Sequence, residues 1–199
     1  MNIDFNPETH EYFIDGVKVW SVTQILDANG ISDFSFVKPE ILEAARDLGN
    51  NVHSTVKLFS NNDLDEDSLD PVLALYLEQW KRFLKETKFE VIDTEQIVSH
   101  IKFLYCGRYD VRGIFKDKLT LLDIKTGSHT KETVKYTGVQ TAGYAMAYNE
   151  KKKAKDMAKQ RMGVWLTEDS YKMELCTNKA DFTVFRAALT MANFKNGGL

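Results

Sequence analysis

The segment YCGRYDVRGIFKDKLTLLDIKTG, residues 105–127, constrains the fold more than any other stretch of the chain. Leu121, Leu122 and Ile124 mark a buried strand, yet Asp123 and Lys125 interrupt it. Bare charges in such a strand cost on the order of several kcal/mol unless they are paired or hold a metal. Upstream, residues 101–115 are rich in aromatic and β-branched side chains, and Lys116-Asp117 is a polar break suited to a turn. A hairpin turning midway between 116 and 117 sets Asp110 opposite Asp123, with Cβ atoms about 4.5–5.5 Å apart. Asp123 and Lys125, two apart, leave the same face of their strand. Two carboxylates and an ammonium therefore converge at the end of a small sheet. Facing carboxylates repel, which makes a divalent cation a natural resident, and oxygen ligands suit Mg2+ or Mn2+.

The remaining elements surround this hairpin. Tyr12–Ile14, the turn dipeptide Asp15-Gly16 and Val17–Trp20 predict a small hairpin, after which Ser21 or Thr23 can cap a short helix. Residues 30–38 read as a loop. Pro39 suits the first turn of a helix reaching Phe59, and this helix carries Gly49, which permits close approach of another backbone, and His53. Residues 60–70 are an acidic loop. Asp63, Asp65 and Asp67 superficially suggest a calcium loop, but Ser68 and Ala74 stand where Gly and Glu are required. A helix with a broad apolar face follows, over Val72 to Leu84. Strands are expected over 89–98, 101–115 and 119–124, with turns at Ser99-His100 and Lys116-Asp117. Residues 133–149 have helical spacing, and 162–166 and 171–175 read as strands. Residues 181–194 form an amphipathic helix. The expected fold class is mixed α/β (α+β), one domain over 1–199. Residues 1–30 give a hairpin and short helix, 39–88 a helical part, and 89–199 the sheet with its flanking helices.

Charge is polarised along the chain. Residues 1–100 hold 8 Lys/Arg against 19 Asp/Glu, and residues 101–199 hold 18 against 10, within a total of −3. Halves of opposite sign favour a polyanionic partner on one side. The two cysteines are too few for a disulfide framework, a four-cysteine zinc site or a four-cysteine iron–sulfur cluster. The N-terminal residues show no signal-peptide pattern, and no apolar run approaches the ~20 residues that span a bilayer, so a cytoplasmic protein without membrane contact is expected. Lys131 and Lys135, in the loop expected after the charged strand, are placed to track a nucleic-acid backbone. The basic run Lys151, Lys152, Lys153, Lys155, Lys159 and Arg161 reads as a solvated helix face that could also touch phosphates. Trp20, Trp80 and Trp165 are expected in the core, and His10, His100 and His129 carry no pattern.

Together these residues resemble the PD-(D/E)xK nuclease superfamily, in particular its RecB-like phage and CRISPR-associated exonuclease branch. Asp110 and Asp123-Ile124-Lys125 are similar to the acidic motifs, and Gly49-Asn50-Asn51-Val52-His53 to the branch's G-x-x-x-H helix. Glu95 stands where the family often has a glutamate, Gln140-x-x-x-Tyr144 is similar to its Q-x-x-x-Y motif, and Ser21-Val22-Thr23-x-Ile25-Leu26 resembles phage members. The resemblance covers about residues 10–190. It departs from the family pattern in lacking the motif proline, since Tyr109 precedes Asp110, and in lacking cluster cysteines, which implies a branch without an iron–sulfur cluster.

The resemblance implies a restriction-endonuclease-like core, with a central mixed sheet, an antiparallel three-strand meander and flanking helices. It implies metal ligation by Asp110, Asp123, the Ile124 carbonyl and His53, with Glu95 a further candidate, and one or two Mg2+ or Mn2+ ions. Lys125 would orient or deprotonate the attacking water and stabilise charge at phosphorus. Gln140 and Tyr144, sharing a helix face, would bind substrate phosphate or the catalytic strand. The expected activity is metal-dependent hydrolysis of DNA by an exonuclease of phage replication, recombination or repair, with a phage recombination or single-strand-binding protein as partner. A structure-specific endonuclease and a weakly catalytic DNA-binding scaffold are the alternatives.

Overall fold

The computed structural model describes residues 2–31 and 37–195, so the middle of the expected 30–38 loop lies outside the described residues. Near the N-terminus, β1 (Ile3–Asn6), β2 (Glu11–Ile14) and β3 (Val17–Ser21) pair antiparallel in sequence order. Asp15 and Gly16 both take positive φ, 48° and 80°, as a tight hairpin turn of this hand requires. Ser21 ends β3 and starts α1 (Val22–Asp27). Its hydroxyl accepts from the Gln24 N–H at 3.1 Å while Gln24 Oε1 accepts from the Ser21 N–H at 3.0 Å, a reciprocal cap. Strand β1 was not foreseen from the sequence.

The next two helices, α2 (Pro39–Ser60) and α3 (Pro71–Thr87), each begin on a proline whose missing N–H is no loss there. Asp70 caps α3 by accepting from the Val72 N–H at 2.8 Å, and Lys88 ends it in the left-handed conformation, φ 55°. The acidic connection between them holds a single 3-10 turn, Glu66–Ser68.

The meander expected downstream is present as β4 (Glu90–His100), β5 (Tyr105–Phe115) and β6 (Lys118–Lys125). Its first turn is displaced. Ser99 and His100 remain in the ladder, opposite Cys106 and Tyr105, and the chain turns over residues 101–104. The reason is remote in sequence: the Glu150 carboxylate accepts from the N–H groups of Ile101 and Lys102 at 2.8 and 2.9 Å. After β6 the chain forms α4 (Lys131–Asn149), then β7 (Gln160–Leu166) parallel to β6, β8 (Tyr171–Leu175) antiparallel to β7, and α5 (Ala180–Lys195). Among the described residues, all eight strands join one mixed sheet, ordered β1-β2-β3-β5-β6-β7-β8 with β4 on the other edge of β5.

Two apolar clusters cover its faces. Leu122, Ile124, Met162 and Val164 pack against Val52, Val56, Trp80 and Phe83 of α2 and α3, while Leu121, Tyr105 and Tyr109 pack against α1, α4 and α5. The alternation of Leu121 and Leu122 between clusters is the two-residue period of a strand buried on both sides. Trp80 and Trp165 are fully buried, as expected. No helix among the described residues is long and apolar enough to cross a membrane.

The basic run after α4 differs from expectation. It is a connection with one 3-10 turn, Ala154–Asp156, not a helix face. Its last member, Arg161, is buried in β7 on Asp181 and is withdrawn from any phosphate. Lys131 and Lys135 also differ, since both lie in the first turns of α4 rather than in a loop.

Candidate metal and phosphodiester site

The site lies where the sheet opens. Along one edge of β5, β3 pairs only with Tyr105 and Cys106, and β6 only with Val111 to Phe115. The intervening edge, Gly107 to Asp110, has no ladder pair on that side, and the end of β6 stays paired only with β7. Ile124 keeps Val164 of β7 as its register partner but has no strand partner on the β5 side, where a buried peptide group cannot stay unpaired. Side chains supply what the strand does not. Ile124 N–H donates to Asp110 Oδ2 at 2.6 Å, and the Ile124 carbonyl lies 3.1 Å from His53 Nε2 on α2. The mirror register holds from Val111↔Leu122 to Phe115↔Lys118, but Asp110 and Asp123 form no ladder pair themselves.

Both strands are irregular at this point. Tyr109 packs on the α4 side and Val111 on the α2/α3 side, although they are two apart, so the facing of β5 reverses across Asp110. On β4, Glu95 lies between the pairs Thr94↔Val111 and Gln96↔Tyr109 with φ 54°. A left-handed, non-glycine residue inside a strand is uncommon and costs on the order of 1–3 kcal/mol. The same irregularity puts its carboxylate into the site.

His53, Glu95 and Asp110 bring ligand atoms within 4.8 Å of one another. His53 Nδ1 lies 3.4 Å from Asp110 Oδ1 and 3.6 Å from Glu95 Oε1. Burial works against the imidazolium, but the charges and hydrogen bonds of Asp110 and Glu95 push its pKa up to about 10. Burial alone would raise the Asp110 carboxyl, and the neighbouring His53 instead holds it below its ordinary value. Gly49, one turn before His53, does not supply the close backbone approach expected of it. A Cβ there would lie 3.5 Å from Thr126 Oγ1, an ordinary contact. Gly49→Ala should therefore raise stability by about 0.8–1 kcal/mol, the cost of glycine inside a helix. In thermal denaturation that is a rise of roughly 2–4 °C for a chain of this size, and a fall would show that the site needs the glycine.

Asp123 is 1% exposed, and its Oδ2 lies 2.8 Å from Lys125 Nζ without the alignment of a hydrogen bond. Burial, only partly offset by Lys125 and reinforced by Asp110, pushes its pKa up to about 6. Lys125 Nζ donates to Gln140 Oε1 at 2.8 Å and sits 5.3 Å from the Tyr136 ring centroid. Burial disfavours its ammonium, but Asp123, Tyr136 and Asp110 together more than compensate and keep its pKa above the usual lysine value. Gln140 Nε2 in turn donates to the Tyr144 hydroxyl at 2.9 Å. Gln140 and Tyr144 are 5% and 4% exposed, so the structure places them behind Lys125 and not on a surface open to phosphate. Tyr144 packs on Gly107, where a Cβ would come within 2.8 Å of the ring. The glycine of the 106–110 segment thus makes room for the residue that orients Gln140.

Lys131 and Lys135 line an open cleft of about 440 Å3 with His129, Val134 and Glu174. His129 meets Trp165 edge-on at 4.7 Å, and Trp165 is the register partner of Lys125. Arg108 also belongs to the site, although no sequence motif marks it. Its Nε lies 2.7 Å from Glu95 Oε2, and its guanidinium lies 5.6 Å from the Phe5 ring centroid. Its position two residues before Asp110 on one strand was the available signal.

A sequence model of the PD-(D/E)XK nuclease superfamily matches residues 69–192. Among solved structures, a protein of Eubacterium rectale described as a presumed exonuclease aligns at 12% identity over 74% of this chain and 67% of its own, with a TM-score of 0.50. An alkaline exonuclease of Laribacter hongkongensis aligns at 12% identity over 89% and 88%, TM-score 0.44. The protein SSO0001 aligns at 16% identity over 59% of this chain, TM-score 0.37, and the match spans 56% of that protein. No curated protein matches by sequence.

Proposed function

This chain belongs to the PD-(D/E)XK nuclease superfamily, and from that premise we propose that it is a divalent-metal-dependent DNA nuclease. We read it as an exonuclease of phage or prophage replication, recombination or repair. The observation that carries the nuclease reading is the convergence of Asp110, Asp123 and Lys125 around the displaced backbone of Ile124, with His53 and Glu95 beside it. The donor set fits a hard divalent ion. It offers three carboxylates, an imidazole and a peptide carbonyl, and Asp123 Oδ2 is a buried carboxylate oxygen without a hydrogen-bond partner among the described residues. Mg2+ or Mn2+ would be held by Asp110, Asp123, His53, the Ile124 carbonyl and Glu95. Such an ion polarises a phosphoryl oxygen and lowers the pKa of its water.

The chain's own residues do the rest. An ammonium has three donors, and Lys125 meets Asp123 and Gln140, which leaves donor capacity to orient a water and stabilise charge gathering at phosphorus. Gln140 and Tyr144 fix the lysine from behind. Lys131 and Lys135 are assigned to the DNA backbone, which they would position without reading sequence. The test is cleavage of linear single- and double-stranded DNA with Mg2+ or Mn2+ and with a chelator. Metal-dependent loss of linear substrate, with closed circles left intact, is the expected result. Cleavage of closed circles would replace the exonuclease by an endonuclease, and binding without turnover across the metal panel would leave only a scaffold.

A further inference from the structure

Arg108 belongs to no element of the chemistry assigned above. It is 39% exposed at the side chain, stands two residues before Asp110, and shares Glu95 with His53. One reading makes it only a strut for Glu95. Donor accounting argues otherwise. A guanidinium carries five N–H donors, and its closest approach to Glu95 is through Nε. Among the described residues the terminal nitrogens donate no hydrogen bond, which leaves their four N–H groups for another acceptor. The guanidinium carbon lies over the Phe5 ring of β1, 5.6 Å from its centroid, and Phe5 is itself packed on Tyr12 at 4.7 Å with the rings tilted by 36°, so the fork rests on an aromatic pair from the N-terminal hairpin. A planar, pre-oriented, part-exposed fork is the geometry that takes two oxygens of a phosphate.

Charge balance points the same way. Glu95, Asp110 and Asp123 bring three negative charges. One divalent ion, with His53 a neutral ligand to it, and Lys125 cancel them and leave no net charge within this cluster to attract an incoming phosphodiester. Arg108 supplies the surplus positive charge. We propose that Arg108 is a substrate-binding residue of this site, whose guanidinium grips a DNA phosphate next to the scissile one while Glu95 and Phe5 hold it in plane. The proposal rests on the nuclease reading for its ligand.

The experiment is DNA binding by fluorescence anisotropy with a chelator present, so that cleavage does not intervene, over a series of salt concentrations. Arg108→Gln should bind about ten- to a hundred-fold more weakly than wild type, the effect of losing a charged hydrogen-bond pair. The slope of log K against log salt should become shallower by about 0.7 on single strands or 0.9 on duplex. Arg108→Lys, which keeps the charge and loses the fork, should fall between them, and it carries the test if the glutamine variant does not fold. Lys116→Gln, which removes one exposed positive charge at the β5–β6 turn, at the other end of the hairpin from Asp110, should bind as wild type does. If Arg108→Gln binds with the wild-type affinity and slope, or if Lys116→Gln loses binding equally, the proposal fails. A wild-type protein that binds no DNA would instead sink the nuclease reading.

Discussion

Asp123→Ala should abolish metal-dependent DNA cleavage, and Lys125→Met should slow it by roughly 10²–10⁴-fold, the range for losing a positioned proton-transfer or charge-stabilising group. The order follows from the geometry. Asp123 is both the candidate ligand whose Oδ2 lacks a hydrogen-bond partner and the ion-pair partner of Lys125 at 2.8 Å, so its loss removes two functions. Lys125 removes one. Gln140 touches the lysine and not the phosphate, so Gln140→Ala should cost about ten- to a hundred-fold, the worth of one hydrogen bond to a charged group. That loss should fall on kcat with KM little changed, because a residue acting through Lys125 alters the transition state more than substrate binding. A rise in KM at constant kcat would restore Gln140 to the substrate-binding role that its motif first suggested. Equal cleavage by wild type and Asp123→Ala would show that the site is elsewhere. A cooperative thermal transition and a wild-type circular dichroism spectrum in all three variants guard against reading a folding defect as a catalytic one.

What the sequence disclosed was local. Asp15-Gly16 announces its turn because positive φ comes readily to those residue types, Lys116-Asp117 because it is a polar break between apolar runs, and Pro39 marks a helix start by its fixed φ and missing N–H. The period-two rule placed Asp123 and Lys125 on one face, and the mirror register brought Asp110 to them. What it could not disclose was set by contacts between distant segments. The turn at 101–104 depends on Glu150, about fifty residues away, and the connection after α4 is tied by Arg161 to α5. The site has the same division. Period and pairing suggest a cation between two aspartates. The splaying of β3 from β6, the left-handed backbone of Glu95 and the capture of the Ile124 N–H by Asp110 are tertiary solutions to unpaired backbone, with no local signature. His53 illustrates both halves: only resemblance singled it out in the sequence, and only the packing of α2 over β6 brings it 3.1 Å from Ile124.

Arg161→Met should lower stability by about 3–5 kcal/mol, the cost of removing one member of a buried ion pair. In thermal denaturation this is roughly 6–20 °C for a chain of this size. The guanidinium donates to the Gly138 carbonyl at 2.6 Å, to the Asn178 carbonyl at 3.0 Å and to Asp181 Oδ2 at 3.1 Å. It thus joins β7, the middle of α4 and the start of α5 with one side chain. Methionine would fill much of the volume but leave a buried carboxylate without its charged donor, while the Gly138 and Asn178 carbonyls would keep the Thr141 hydroxyl and the Asp181 N–H. Asp181 would keep only the favourable field at the start of α5, worth a fraction of the loss. The double variant Arg161→Met/Asp181→Leu should recover a good part of the stability, since exchanging both partners of such a pair for apolar residues is often neutral. The salt dependence of DNA binding should be the same for wild type and for Arg161→Met measured below its melting point. A shallower slope in the folded variant would return Arg161 to the phosphate-contacting role expected of the basic run. A melting point within 2 °C of wild type would mean that the pair is not what holds α5 against the sheet.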